Sequence, residues 1–443
     1  MIAIKNREFT KVLNYNLRGD VNKIKKSKKV KYRRIEPQNG TLIGYAGKRP
    51  IYLPDHAKHV FACGTTGSGK TILLSNFINR AIEIDAPTVI IEAKGDLGEG
   101  STLDIINKLN HKGKKKVYVI NLSDPANSDK YNPFRNATPT IAKDMIINMT
   151  EWSEEHYKLN TERYIQRILQ LLELDNIELS FNKIIKCIPV NKFIELSKYL
   201  LQKELITKEK HTENIQLSKT SGEIAENAMA RFSTIAESEI GHIFSSDGID
   251  ISTALEEKAI IVFILNPLIY PELSPAFGRL VLIDAKKAIS TLFNVATERT
   301  FFIMDEINVY ASPVLTDLVN KSRSAKVTCV LATQSLSDLD YACNEAFKEQ
   351  IIENSNNYIL LRQNSGVNAE HWANILGTRQ TMDVTYQLQQ RGLDTSATGF
   401  GSARRVREYL FHPDEIKSLQ TGKGIYLSRD TDFNSRINIH KPF

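Results

Sequence analysis

The clearest chemistry in this sequence lies in a glycine-rich stretch, GTTGSGKT, at residues 64–71. It fits the pattern G-x-x-x-x-G-K-[ST], in which loop N–H groups and a helix start point at phosphate oxygens. The lysine of the pattern reaches the β- and γ-phosphates, and the hydroxyl is a ligand of Mg²⁺. We therefore predict that a nucleotide and Mg²⁺ bind here, and the binding residues are Gly64, Thr65, Thr66, Gly67, Ser68, Gly69, Lys70 and Thr71.

A pair of acidic residues ends the apolar run RTFFIM at 299–304. If this strand lies beside the glycine-rich loop, Asp305 would hold Mg²⁺ through water, and Glu306 would orient or deprotonate the attacking water. The alternative is an ordinary helix start after a strand. The glutamate favours ATP hydrolysis coupled to motion over a GTPase switch, since no N-K-x-D stretch for reading guanine is evident.

Two further polar residues are candidates for catalysis. Gln334 ends the strand pattern VTCVLAT, from which it would reach the γ-phosphate or the water; the alternative is a surface glutamine. Arg323 lies in the polar stretch NKSRSAK, between the acidic pair and Gln334. In ring ATPases such an arginine reaches the γ-phosphate of the neighbouring subunit. The alternative is an arginine in a surface salt bridge.

These residues need a parallel sheet to bring them together. Short apolar runs alternate with helical patterns, and continuous apolar runs are typical of strands buried on both faces. The runs are HVFAC (59–63), PTVIIE (87–92), KVYVI (116–120), AIIVFIL (259–265), TFFIM (300–304), KVTCVLA (326–332), YILLR (358–362) and GIYLS (424–428). The sequence therefore predicts an α/β fold with a mostly parallel sheet.

The strand pattern is interrupted in the middle of the chain. From 139 to 230 the apolar residues recur only at helical spacing, which predicts an inserted all-α domain. The predicted division is a basic segment at 1–40, the first part of the nucleotide-binding domain at 41–138, the all-α domain at 139–230 and the second part at 231–443.

The charge of the chain is relevant to a polyanionic partner such as DNA. The net charge of the 443 residues is +7, and KIKKSKKVKYRR at 23–34 is a basic run without an acid. Such runs are either solvated tails or contacts with a polyanion such as DNA. The four cysteines show no disulfide or zinc spacing, and neither a signal peptide nor a membrane-spanning run is present, which fits a reducing cytoplasm.

The motifs, taken in order, resemble the type IV secretion and conjugation coupling proteins (the TraG/TraD family), which belong with the FtsK/HerA class of ring-forming DNA translocases. The resemblance covers roughly residues 40–430, and its matching stretches are HVFACGTTGSGKT, VIIEAKGDLGE, YNPF, FIMDEINVY, KSRSAKVTCVLATQSLSDL and NYILLRQNSGVNAEHWANILGTR.

The resemblance implies a RecA-like P-loop NTPase domain capped by the all-α domain, with six copies around a channel for DNA. It gives Lys70, Thr71, Asp305, Glu306 and Gln334 the roles derived above, and makes Arg323 an arginine finger that acts in trans. Either Arg362 or Arg379 would be a second phosphate sensor. The implied cofactors are ATP and Mg²⁺, and the implied partners are DNA, contacted through its backbone, and a relaxase or other transfer proteins.

One feature departs from that family, whose members usually begin with transmembrane helices. This chain begins with a basic, polar segment. We expect a soluble variant recruited to the membrane by a separate anchor or a secretion-channel ATPase, or else a motor of another DNA-moving system. The alternatives are a HerA-like motor in repair or phage defence, and a recruitment adaptor that uses ATP for assembly only.

Overall fold

A large β-sheet organises the chain in the computed structural model, which describes residues 36, 39–55, 58–150, 152, 154–293, 299–391 and 394–443. The strands in these residues are β1 (Gly40–Ala46), β2 (Arg49–Pro54), β3 (Val60–Cys63), β4 (Thr88–Glu92), β5 (Val117–Asn121), β6 (Ile260–Ile264), β7 (Thr300–Met304), β8 (Val327–Thr333), β9 (Asn357–Leu360), β10 (Thr378–Arg391), β11 (Asp394–Tyr409), β12 (Lys423–Ser428) and β13 (Phe433–Ile439). The main sheet has the order β2-β1-β13-β12-β9-β3-β8-β7-β4-β6-β5.

The strands from β9 to β5 in this order are all parallel. The strands β12, β13, β1 and β2 extend the sheet beyond β9 with antiparallel pairing. The predicted α/β fold with a mostly parallel sheet is therefore confirmed. Strands β10 and β11 pair with each other as a separate two-stranded ribbon.

Burial explains why these runs form strands. Every residue of β3, β4, β6, β7, β8 and β9 is buried, as expected for central strands of a parallel sheet. Strand β5 differs from the prediction, because its first three residues are only half-buried. It is the last strand of the sheet, so one of its edges has no neighbouring strand in the described residues.

Helices cover both faces of the sheet. Those in the described residues are α1 (Lys70–Glu83), α2 (Thr102–Leu109), α3 (Pro139–Asn148), α4 (Glu155–Leu174), α5 (Phe181–Lys186), α6 (Val190–Gln202), α7 (Lys208–Thr220), α8 (Gly222–Ala236), α9 (Ile251–Glu256), α10 (Leu273–Leu292), α11 (Pro313–Ser322), α12 (Leu336–Ala342), α13 (Glu345–Asn354), α14 (Gly366–Leu376) and α15 (Pro413–Lys417). Alternate side chains of β3 enter two different apolar clusters, with Phe61 in one and Ala62 in the other.

The segment from 139 to 236 contains α3 to α8 and no strand in its described residues. Its apolar side chains belong to the same cluster as Phe61, so the segment packs continuously with one face of the sheet. Helix α8 crosses residue 230, the predicted end of the all-α domain, and continues to Ala236. The division of the chain into domains stays a prediction.

The basic run at 23–34 lies outside the described residues, as does nearly all of the predicted segment 1–40. None of the helices in the part of the chain that the structure describes is long and apolar enough to cross a bilayer.

Candidate active site

The glycine-rich loop joins β3 to α1 at the carboxyl edge of the parallel strands. Gly67 and Gly69 have φ angles of 72° and 105°, in the left-handed region that side chains disfavour. Gly64 is constrained by space instead, because an added Cβ would lie 2.5 Å from Leu361 Cβ. Backbone conformation thus requires glycine at positions 67 and 69, and side-chain packing requires it at position 64.

Neighbouring strands hold the loop in place. The N–H of Gly64 donates to the carbonyl of Thr333 (3.2 Å), and that of Thr65 donates to the carbonyl of Arg362 (3.0 Å). Within the loop, the hydroxyl of Ser68 donates to the carbonyl of Thr65 (2.6 Å). The loop is therefore braced by the ends of β8 and β9 as well as by its own hydrogen bonds.

Lys70 begins α1 and its side chain is buried. Its Nζ donates to the carbonyl of Gly64 at 2.6 Å and lies 3.5 Å from Glu306 Oε1. The ammonium group and the start of α1 together make the loop a positive site, as binding of phosphates requires.

The predicted acidic pair lies beside the loop, at the end of β7. The N–H of Asp305 donates to the carbonyl of Ile91 on β4 (2.8 Å), which fixes its position. Glu306 has a left-handed φ of 50°, a conformation that costs about 1–3 kcal/mol in a residue other than glycine. Its N–H donates to Asp305 Oδ1 at 3.0 Å, and both side chains are buried.

Gln334 bridges the acidic pair and the tip of the loop. Its Nε2 donates to Glu306 Oε1 (3.2 Å), and its Oε1 accepts from the hydroxyl of Thr66 (3.0 Å). The following helix, α12, begins with a capping box between Ser335 and Asp338, which fixes the backbone directly after Gln334. The structure thus brings Gln334 to the site rather than to the open surface.

The electrostatics of the site raise the pKa of two buried glutamates. Burial, and next the charge of Asp305, raise the pKa of Glu306, while Lys70 opposes this shift. Burial also raises the pKa of Glu92, at the end of β4, to about 7, although the N–H groups of Lys94 and Gly95 donate to its carboxylate. Two glutamates close to the loop are therefore poorly solvated.

Lys94 is a residue of the site to which the sequence analysis gave no role. Its Nζ lies 2.5 Å from Asp305 Oδ2 and 3.3 Å from Thr71 Oγ1. The signal was its place two residues after β4, a strand whose carboxyl end lies at the same edge as that of β7. Because one ammonium contacts the oxygens of both Thr71 and Asp305, the two residues fit a shared cation such as Mg²⁺.

The C-terminal part of the chain also touches the loop, which the sequence did not indicate. The hydroxyl of Thr421 donates to the carbonyl of Gly67 (3.0 Å), and the N–H of Gly422 donates to the carbonyl of Ser68 (3.1 Å). No short motif marks residues so distant in sequence.

The structure distinguishes the two candidate sensor arginines by position. Arg362 lies two residues after the end of β9, where its carbonyl accepts from the loop N–H of Thr65, and its Nε is buried without a hydrogen-bond partner among the described residues. Arg379 lies in the β10–β11 ribbon, where its side chain is 64% exposed and 4.0 Å from Glu408. Only Arg362 is therefore placed beside the phosphate loop.

Arg323 lies far from the loop of its own chain. It is exposed, in a turn at Arg323–Ala325 that precedes β8. The loop lies at the carboxyl end of that parallel strand, and seven residues of strand span about 23 Å. The site described above is therefore built without Arg323, and its action in trans stays a prediction.

The fold and the site define a P-loop NTPase of the RecA-like kind: a parallel sheet with a phosphate loop after one strand and an acidic pair after a nearby strand. The chain belongs to the family described as type IV secretion-system coupling protein DNA-binding domain, which residues 45–439 match.

Solved structures share the fold. The unbound bacterial conjugative coupling protein TrwBdeltaN70 is 15% identical, with a TM-score of 0.67, and the match covers 95% of this chain and 91% of that one. VirB4 of Thermoanaerobacter pseudethanolicus is 12% identical, with a TM-score of 0.59 and coverage of 92% and 98%. An uncharacterized protein of Mycoplasma pneumoniae is 31% identical over 116 residues, 26% of this chain and 75% of that protein.

The nucleotide complexes concern one of these relatives. Plasmid coupling protein TrwB has been solved with ADP and Mg²⁺, in a structure 15% identical to this chain with a TM-score of 0.63 and coverage of 94% and 92%.

Proposed function

We propose that this coupling protein is an ATP-driven motor that delivers DNA to a conjugative type IV secretion channel. The observation that carries the proposal is the state of Glu306. Its Oε1 is held by Gln334 and Lys70, whereas its Oε2 is buried without a hydrogen-bond partner among the described residues. A buried, unsatisfied carboxylate oxygen beside a phosphate loop is suited to accept a proton from an attacking water.

The other residues have roles in binding and positioning ATP. The loop N–H groups and Lys70 bind the β- and γ-phosphates, and Gln334 orients the water together with Glu306. Thr71 and Asp305 would hold Mg²⁺, which when bound supplies charge stabilisation to the phosphates. The TrwB complex with ADP and Mg²⁺ supports binding of an adenine nucleotide together with Mg²⁺ here.

The proposed substrate is DNA, contacted through its backbone, since the family description names a DNA-binding domain. A relaxase or another transfer protein would bring the DNA. We further propose a cytoplasmic location and recruitment to the membrane by a separate anchor or a secretion-channel ATPase.

The active form proposed is a homo-hexamer. Arg323 is exposed and far from the loop of its own chain, so it is available to reach the nucleotide of a neighbouring copy. An arginine that enters such a site in trans accelerates hydrolysis by about 10³–10⁵-fold in GTPases.

The experiment that tests the proposed function is hydrolysis of ATP with and without DNA over a range of salt concentrations. We expect stimulation by DNA of any sequence, and an affinity for DNA that falls steeply with salt because phosphate contacts release counterions. A rate of ATP hydrolysis that does not change when DNA is added would favour the recruitment adaptor. Binding to a nuclease instead of a relaxase would favour a motor in repair or phage defence.

A second experiment tests the shared site. The variants Arg323→Ala and Lys70→Ala should each be inactive, while a mixture contains interfaces with an intact loop and an intact arginine. We expect the mixture to regain activity. No recovery in mixed rings that are shown to form would leave Arg323 as a structural arginine or mean that the ring requires all of its sites.

A further inference from the structure

Lys94 contacts the two residues that the proposed function assigns to Mg²⁺. We propose that Lys94 is a built-in counter-cation that competes with Mg²⁺ for Thr71 and Asp305 and leaves them when Mg²⁺ and nucleotide bind. This inference rests on the proposed function, because it requires that the site binds nucleotide with Mg²⁺.

The first argument is the identity of the contacted atoms. The Nζ of Lys94 lies 2.5 Å from Asp305 Oδ2, 3.3 Å from Thr71 Oγ1 and 4.0 Å from Glu306 Oε1. An ammonium group has donors only, and Mg²⁺ prefers the same carboxylate and hydroxyl oxygens. Both cations need the same lone pairs and repel each other, so occupation by one excludes the other.

The second argument is that the side chain of Lys94 is free to move while its backbone is fixed. The N–H of Lys94, two residues after β4, donates to Glu92 Oε1 at 2.7 Å. The side chain, with its flexible four-carbon stem, is 34% exposed, whereas that of Asp305 is 3% exposed. The ammonium group thus enters the site from its open side and leaves by rotation of its own bonds.

The third argument is charge balance. Two lysines, Lys70 and Lys94, face two buried carboxylates, Asp305 and Glu306. Without Lys94 the carboxylates would repel a metal-free nucleotide and attract Mg²⁺ more strongly. Loss of Lys94 is therefore expected to change the two affinities in opposite directions, which a lysine with a purely structural role would not do.

The test uses the full chain and a fluorescent ADP analogue, which binds without being hydrolysed. The first measurement is the affinity for the analogue in EDTA, and the second is the Mg²⁺ concentration that half-saturates the nucleotide complex. For Lys94→Met we expect metal-free affinity to fall at least tenfold and the half-saturating Mg²⁺ concentration to fall at least tenfold. Lys94→Arg, which keeps the charge, should stay within threefold of wild type.

A matched control is Lys286→Met, since Lys286 has the same exposed fraction of 34% and lies 3.0 Å from Asp317, away from the loop. It should change neither constant. If Lys94→Met does not fold by circular dichroism, Lys94→Gln takes its place.

Two results would overturn the inference. An unchanged or increased Mg²⁺ requirement in the folded Lys94 variant refutes competition, as does a parallel weakening of both constants. Failure of the wild-type chain to bind the analogue with Mg²⁺ is a different result, because it refutes the proposed nucleotide site itself.

Discussion

Replacing Glu306 with glutamine is the most direct test of the hydrolytic site. A glutamine has the same shape, so its Oε1 is still able to accept from Gln334, which donates at 3.2 Å in the structure, and to face Lys70 at 3.5 Å. What the amide loses is the ability to take a proton. General bases contribute typically 10²–10⁴-fold, so we expect Glu306→Gln to slow hydrolysis by that factor, or about 3–5 kcal/mol of activation free energy.

The same change should not impair binding or folding. Burial raises the pKa of Glu306, so its ionised form costs stability in the folded chain. This free-energy cost is zero below the pKa that Glu306 has in the unfolded chain, and it reaches its full value above the raised pKa of Glu306 in the folded chain. Relative to wild type, the unfolding free energy of Glu306→Gln should therefore increase as the pH rises from about 4. Affinity for ATP should be equal or higher, since one negative charge near the phosphates is removed.

The assay combines single-turnover hydrolysis with titration of a fluorescent ATP analogue. Glu257→Gln is a matched control, because Glu257 also has a lysine partner, Lys116 at 3.0 Å, but lies on the surface. Turnover of Glu306→Gln within threefold of wild type, with binding intact, would refute the assignment of Glu306 as the base.

Three further predictions concern the loop and its surroundings. Gly64→Ala should reduce the unfolding free energy by about 1–3 kcal/mol and weaken nucleotide binding, because its Cβ would lie 2.5 Å from Leu361 Cβ; chemical denaturation and titration measure both. In Glu92→Gln, the unfolding free energy relative to wild type should increase between about pH 4.5 and 7 and then level off, because the raised pKa of about 7 makes ionisation of Glu92 costly; an unchanged difference across this range would argue against that pKa. Arg362→Ala should lower affinity for ATP at least tenfold and for ADP less than twofold, because its half-buried side chain, whose Nε has no hydrogen-bond partner among the described residues, would face the γ-phosphate; equal losses would exclude a sensor of that phosphate.

The parallel core was predictable because its signals are local. Central strands such as β3 and β8 are buried on both faces and therefore read as continuous apolar runs. The loop was predictable for the same reason, since eight adjacent residues carry its chemistry. Asp305, Glu306 and Gln334 follow neighbouring strands of a parallel sheet, so strand order alone brings them to the same edge as the loop.

The parts that were missed depend on distant pairing. Strands β1, β2 and β13 lie in the antiparallel extension, where runs such as FNSRINI contain consecutive polar residues and resemble loops. The contact of Thr421 with Gly67 joins residues 354 positions apart, and no property of either residue predicts this contact. A lysine in a polar turn usually faces solvent, and only the order of the strands brings Lys94 to Asp305.

The position of β13 has a consequence for biosynthesis. Strand β13 lies between β1 and β12, so in the described residues the hairpin of β1 and β2 pairs with the rest of the sheet only through a strand made about 390 residues later. At translation rates of about 5–20 residues per second, the edge of β1 that pairs with β13 stays unpaired for roughly 20–80 s until β13 has been made. An unpaired strand edge favours aggregation during that interval. Nascent chains of this protein are therefore expected to depend on chaperones until residues 433–439 have been made. Nucleotide is not expected to protect them before Thr421 and Gly422, which contact the loop, have been made as well.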